Sequence, residues 1–269
     1  MMEKIYFDVE TNKPIITKSS KGDQPKWFHE GKWYKRDFLG YEGLSEIVIS
    51  RLLLSIKAGN ILEYFPVDII YNGVKRPGCY SNNFLKENEE LITLDRLHLS
   101  YRGIGLSEEI EKIKTTEDRI KYTVDFVENI TGLNTFHKWL TSIIEIDSMF
   151  LNEDRHTNNL AVIRNYRTKE YSLSPIFDNG LSILSDLKAY PINVKWDIHM
   201  RNVKAKPFST DFRKQLSACH KLYGNCLNLE FSERDINEAL IGLEKYYSEE
   251  IIQRTTEFLR KRSGLVDNL

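Results

Sequence analysis

Alternating and β-branched apolar positions dominate the first hundred residues. Lys4–Glu10, Pro14–Ser19, Gly31–Phe38, Val67–Tyr71 and Glu90–Leu97 all read as strands. Turn chemistry at Lys21-Gly22-Asp23 and Asn72-Gly73 separates them. One helix interrupts this region, with Leu44, Ile47, Val48, Arg51 and Leu52 at helical spacing and a start at Gly43 or Ser45. From about Ser107 the period becomes helical. Ile120, Val124 and Val127 mark a helix ending near Gly132, and Phe136, Trp139, Leu140, Ile143, Ile144 and Phe150 trace a strong apolar stripe. Leu160–Asn165 and Tyr171–Ile176 then read as a β-hairpin set among helices. Ser232 with Asp235 opens a last helical stretch carrying Ile236, Leu240, Leu243, Tyr247 and Ile251. The pattern predicts an α+β chain in two lobes, a β-rich one over 1–103 with one helix and a mainly helical one over 104–269. A cleft between lobes is a natural place for a ligand.

Composition narrows the function classes. Of 269 residues, 41% are apolar, enough for a real core, which excludes intrinsic disorder as the main state. Lys plus Arg number 38 against 39 Asp plus Glu, so the basic excess of a general nucleic-acid-coating protein is absent. Direct nucleic-acid binding is not expected. No apolar run is long enough for a membrane span, and the first residues lack the apolar stretch of a signal peptide, so a cytoplasmic protein with no membrane partner is expected. Cys79, Cys219 and Cys226 form no CxxC pair, and His29, His98, His137, His199 and His220 fall in no metal-binding spacing, which argues against a disulfide framework and a zinc site.

The densest polar cluster follows the Phe136–Phe150 stripe and reads Asn152-Glu153-Asp154-Arg155-His156-Thr157-Asn158-Asn159. A long helix delivers the chain into it and an apolar strand leaves it, and loops anchored in this way favour function. In phosphoryl transfer, a loop Asp such as Asp154 can take the proton of the attacking hydroxyl. An Asn five residues on, Asn159, can bind magnesium. The hairpin then returns the chain to Phe177-Asp178-Asn179-Gly180, where a carboxylate can hold magnesium bridging nucleotide phosphates. An isolated Asp-x-x-x-x-Asn means little. Asp-Arg-His-x-x-Asn followed 24 residues after its Asp by Asp-Asn-Gly is far more specific. Arg155 suits a phosphate or an ordinary loop salt bridge equally. The short basic run Lys204–Lys206 reads mainly as a solvated turn.

These two strings resemble the catalytic and metal loops of HipA-like serine/threonine kinases, which share the two-lobed protein-kinase-like fold. The likeness runs from about Lys13 to Ser185. Its compact length is closest to the cell-translocating kinase A type, and the Asp-Arg-His-x-x-Asn string is also similar to phosphoinositide 3- and 4-kinases. The resemblance implies ATP and Mg2+ as cofactors, Asp154 as catalytic base, and Asn159 and Asp178 as metal ligands. His156 stands where many protein kinases carry a phosphate-directed Lys, to contact the phosphate or buttress the loop. It implies a cation just before the Gly40–Leu54 segment, which favours Lys35, held by a helix carboxylate, Glu46 rather than Glu42. Ser19, Ser20, Lys21 and Gly22 take the place of the phosphate-covering loop, a place where this family carries an autophosphorylated serine. The residues from Gly78 to Phe84 and from Glu87 to Thr93 resemble the approach to the hinge. The partners implied are a protein substrate with a Ser or Thr acceptor, and an antitoxin or host protein, with secretion or translocation into host cells if the chain is of the translocated type. The rival readings are a phosphoinositide or small-molecule kinase, and a pseudokinase or toxin-module binding protein.

Overall fold

A computed structural model of the chain describes residues 5–9 and 24–265. The expected strand Pro14–Ser19 and the loop formed by Ser19, Ser20, Lys21 and Gly22 lie outside the described residues. The class is α+β, with sheet towards the N-terminus and helices towards the C-terminus. The elements are β1 (Tyr6–Asp8), β2 (Lys26–His29), β3 (Lys32–Arg36), α1 (Glu42–Ser55), β4 (Phe65–Tyr71), β5 (Val74–Asn82), β6 (Glu89–Thr93), α2 (Leu94–Arg102), α3 (Leu106–Lys112), α4 (Thr116–Thr131), α5 (Phe136–Phe150), β7 (Ala161–Asn165), β8 (Tyr171–Leu173), α6 (Trp196–Asn202), α7 (Phe212–Tyr223), α8 (Glu233–Leu240) and α9 (Glu249–Arg262). They fall into two compact units. One runs to Asn83 and adds Asn179–Asn202 and the chain from Leu229; the other holds Phe84–Asp178 and Val203–Asn228.

In the first unit the described strands form one sheet in the order β1-β4-β5-β3-β2, with β1 parallel to β4 and the other pairs antiparallel. Phe7, Trp27, Tyr34, Val67 and Ile69 make its apolar core, with Phe7 stacked on Tyr34 at 3.8 Å between ring centres. Helix α1 is buried on all sides, not on a single stripe: Leu44, Ile47, Val48, Ile49, Leu52 and Leu53 are fully covered, and so are Ser45, Glu46 and Ser50. It packs against β4 and β5 and against α8. Gly43 and Gly78 make the close approach possible, because a side chain on Gly43 would meet the Gly78 backbone at 2.7 Å.

Two carboxyls stand at the entry to α1. Glu42 accepts the amides of Phe38, Leu39 and Gly40, and Asp37 accepts that of Gly43 at 2.6 Å. The second Asp37 oxygen and the nearby Tyr247 hydroxyl are buried, and neither closes a hydrogen bond among the described residues. Burial, then the neighbouring Glu42, holds the Asp37 carboxyl well above the usual carboxylate range, against the Gly43 amide, Tyr247 and Arg76. An acid raised in the folded state keeps a proton the unfolded chain has lost. Its stabilising contribution is therefore complete at low pH and is lost as pH rises through the raised value. Asp37→Asn removes that loss. We expect the variant to melt above the wild type near about pH 8, with the difference closing towards about pH 4, by calorimetry across pH. A variant that melts lower at every pH contradicts this.

In the second unit β6, β7 and β8 form an antiparallel sheet, and α4, α5 and α7 pack together. The Trp139 indole of α5 donates to the Ser174 carbonyl at 3.0 Å, tying the helix to the end of β8.

Several boundaries differ from the sequence expectation, for local reasons. The strand expected over Glu90–Leu97 stops at Thr93, whose hydroxyl accepts the Arg96 amide and caps α2. Helix therefore begins at Leu94, before Ser107, and the hairpin gains a third strand because β6 pairs with β7. β8 ends at Leu173, since the Ser174 hydroxyl turns back to the Ala161 carbonyl and Pro175 has no N–H to donate. Strand β5 was obscured by Pro77 and Gly78. The last stretch breaks at Gly242, in the left-handed region at φ 82°, into α8 and α9. One cut near residue 103 does not describe the two compact units. Pairing of β6 with β7 takes Phe84 onward into the second, and packing of α8 on α1 takes the C-terminal helices into the first.

Candidate active site

Each unit carries one polar centre. In the first, Lys35 leaves β3 on the face opposite Tyr34 and is buried at 8% exposure. Its ammonium meets Glu46 Oε1 at 2.5 Å and lies over the Tyr64 ring, with the Tyr64 hydroxyl at 3.4 Å. Glu46 is 1% exposed, and its other oxygen accepts the Asn179 amide at 2.8 Å. A buried ammonium costs several kcal/mol unless paired this closely. The two residues named from the sequence as cation and helix carboxylate thus form one buried pair.

The chain after Asp178 is strapped to α1. Ser45 donates to the Asn179 carbonyl at 2.8 Å. The Tyr41 hydroxyl donates to the carbonyls of Ile183 and Leu184 at 2.9 and 3.0 Å, and the Tyr41 amide to that of Ser185. Ile183 and Leu184 are both in the left-handed region, at φ 47° and 57°, a conformation costly for such side chains. Burial pushes the Tyr41 hydroxyl up to about 12, so it remains a donor throughout the ordinary pH range.

The second centre is the loop after α5. Leu151 ends the helix in the left-handed region at φ 56°, which turns the chain sharply into Asn152. Asn152 Oδ1 accepts the Asp154 amide at 3.1 Å, and Asn152 Nδ2 donates to the Asp178 carbonyl at 3.3 Å. Among the described residues Arg155 is the largest charged side chain fully inside. Its guanidinium grips Asp147 of α5 through Nε at 2.9 Å and Nη2 at 3.0 Å, and Nη1 donates to the Phe177 carbonyl at 2.6 Å. Of its two sequence readings, the salt bridge is what the structure shows. Arg155 fixes the loop to the helix and to the residue before Asp178.

Asp154 is buried at 6% exposure. Asn159 Nδ2 donates to the Asp154 carbonyl at 3.0 Å, which leaves Oδ1 as the acceptor end of that amide. Asn159 and Asp178 carry hard oxygen donors of the type magnesium takes, one amide oxygen and one carboxylate, so the donor chemistry fits that ion, although no three His, Cys, Asp or Glu side chains are grouped for a metal among the described residues. The His156 Nδ1 accepts the Asn158 amide at 3.2 Å, and Nε2 stands 3.8 Å from the Asp154 carboxylate, outside hydrogen-bond range. Burial holds the imidazole below its ordinary value despite the pull of Asp154 and Asp178. His156 thus braces its own loop through Nδ1, while Nε2 closes no hydrogen bond among the described residues.

The structure thus groups Lys35 with Glu46, and places Asp154, His156, Asn159 and Asp178 together in the second unit. Three contributors were missed in the sequence. Asp147 had a usable signal, a carboxylate on the apolar face of α5. Tyr41 had none, since its partners are backbone carbonyls 142 residues away and more. Lys206, read as part of a solvated turn, donates to Asp154 Oδ1 at 3.0 Å.

No described helix is long and apolar enough to cross a membrane. No family model and no curated protein matches the chain. Among solved structures it is similar to the crystal structure of a Helicobacter pylori proinflammatory kinase, CtkA. The TM-score is 0.62, with 97% of this chain and 94% of that one covered at 17% identity. The chain therefore has a fold similar to that of this kinase.

Proposed function

We propose that this chain is an ATP- and Mg2+-dependent phosphotransferase acting on Ser or Thr hydroxyls of proteins, and on its own chain. The observation that carries the reading is the buried Lys35–Glu46 pair, whose carboxylate also holds the amide next to Asp178. Phosphoryl transfer needs little covalent help; it needs positioning and charge. Lys35 supplies a fixed cation for nucleotide phosphate oxygens. Asn159 and Asp178 would hold magnesium, which supplies neutralisation of phosphate charge when bound. Asp154 takes the proton of the attacking hydroxyl while its oxygen bonds to the γ-phosphorus. The bond from that phosphorus to the bridging oxygen breaks, and the electron pair leaves with the nucleoside diphosphate. The fold shared with a kinase supports the reaction class, and the Asp-Arg-His-x-x-Asn string supports the roles.

The test is incubation with γ-labelled ATP and magnesium, beside the Asp154→Ala, Asp178→Ala double variant, with a generic protein acceptor and phosphoinositide vesicles as alternative acceptors. Label on protein Ser or Thr with the wild type alone is the expected result. Label on lipid alone replaces the acceptor class, and absence of both transfer and magnesium-dependent ATP binding rejects the reading.

A further inference from the structure

The Asp154 carboxylate has a cationic partner that comes from a distant segment. Lys206 lies 52 residues on and puts its ammonium 3.0 Å from Asp154 Oδ1. This lysine is on a built loop, not a solvated turn. Val203, Ala205 and Phe208 are buried on either side of it. The buried Gln215 side chain accepts the amides of Phe208 and Ser209 at 3.0 and 3.2 Å and donates to the Lys206 carbonyl at 3.2 Å. The Ala205 amide closes the loop on the Thr210 carbonyl at 3.0 Å, and Arg119 of α4 binds the Phe208 carbonyl at 3.1 Å. The backbone of Lys206 is thus fixed at both sides, while its side chain keeps 35% exposure.

A carboxylate that must accept a proton gains nothing in basicity from an ammonium against it. That contact is useful if the ammonium has a second partner. The transferring phosphoryl spreads negative charge over three oxygens, and a lysine is a point charge with three donors. His156 Nδ1 accepts the Asn158 amide and Nε2 stands 3.8 Å from the Asp154 carboxylate, whereas the Lys206 ammonium is in direct hydrogen-bond contact with that carboxylate.

We propose that Lys206 is a further catalytic residue, its ammonium bridging the Asp154 carboxylate and the phosphoryl group being transferred. The proposal rests on the phosphotransferase reading. As the acceptor oxygen bonds to phosphorus and the leaving oxygen departs with its electron pair, the hydroxyl proton passes to Asp154. Lys206 keeps all its protons and follows the charge from the neutralised carboxyl to the phosphoryl oxygens.

The experiment compares wild type, Lys206→Met, Lys206→Gln and Lys206→Arg, with γ-labelled ATP and with its γ-thio analogue. Lys206→Met is expected to lose on the order of 10²-fold in kcat, with the Kd for ATP within about threefold. Its preference for ATP over the thio analogue should shrink, because the donor that senses the phosphoryl oxygens is gone. Lys206→Arg, which keeps the charge, should recover part of kcat. Lys206→Gln carries the same expectation as Lys206→Met should the latter fail to fold. A variant with wild-type kcat and an unchanged thio preference overturns the proposal while leaving the kinase reading intact. A wild type that transfers nothing overturns both.

Discussion

Asp154→Asn is expected to slow phosphoryl transfer by about 10³-fold while leaving the melting temperature close to that of the wild type. The Asp154 main chain is held independently of its carboxylate, its amide by the Asn152 side-chain oxygen and its carbonyl by the Asn159 side-chain amide. The asparagine oxygen can still face Lys206, so what disappears is the capacity to accept a proton. Single-turnover kinetics with labelled nucleotide, beside a calorimetric melt, check both halves. A variant that transfers at more than a tenth of the wild-type rate removes Asp154 from the role of base.

The largest stability effect is expected at Arg155. Arg155→Met leaves the Asp147 carboxyl, which burial already holds above the usual carboxylate range, without its bidentate partner, and breaking such a buried pair from one side costs about 3–5 kcal/mol. The Phe177 carbonyl loses a short bond as well. Urea unfolding should show the loss as a lower midpoint at an unchanged slope. Asp147→Asn combined with Arg155→Met should recover much of it, because no uncompensated charge then remains. A loss below about 1 kcal/mol in the single variant would mean the pair is not the anchor described. Catalytic output should fall too, since Arg155 joins Phe177, the residue before Asp178, to the loop of Asp154.

What the sequence made legible follows the range of the interactions. Amphipathic α5 and the α4 stop at Gly132 were readable because the signal is local: an apolar stripe, and a glycine at φ 73°. Lys35 and Glu46 became candidates only through the family resemblance, which implies a cation just before the Gly40–Leu54 segment and a carboxylate on its helix; their separation of 11 residues would not have singled them out. The start of α2 was misplaced because a threonine cap looks like the last residue of a β-branched strand. Strand β5 was hidden by Pro77 and Gly78, which satisfy packing needs that no local pattern encodes. Lys206 was missed for a deeper reason. Its meaning depends on Gln215 fixing its loop and on Asp154 lying beyond it, and neither relation leaves a periodic or spacing trace. Ser19, Ser20, Lys21 and Gly22 remain a sequence expectation, and phosphate on either serine after incubation with ATP would support it.

The strap after Asp178 has a consequence for how that stretch responds to its surroundings. Its catch is made mostly of hydroxyls and main-chain groups, the Tyr41 and Ser45 side chains on three carbonyls, with one charged contact that is buried, the Glu46 carboxylate on the Asn179 amide. Neutral contacts of this type are little affected by ions in solution, whereas exposed charge pairs weaken within a Debye length of about 8 Å at physiological ionic strength. The same catch holds Ile183 and Leu184 in backbone conformations that store about 1–3 kcal/mol each. The segment is therefore a strained stretch held by contacts that are neutral or buried, and salt in solution does little to loosen it.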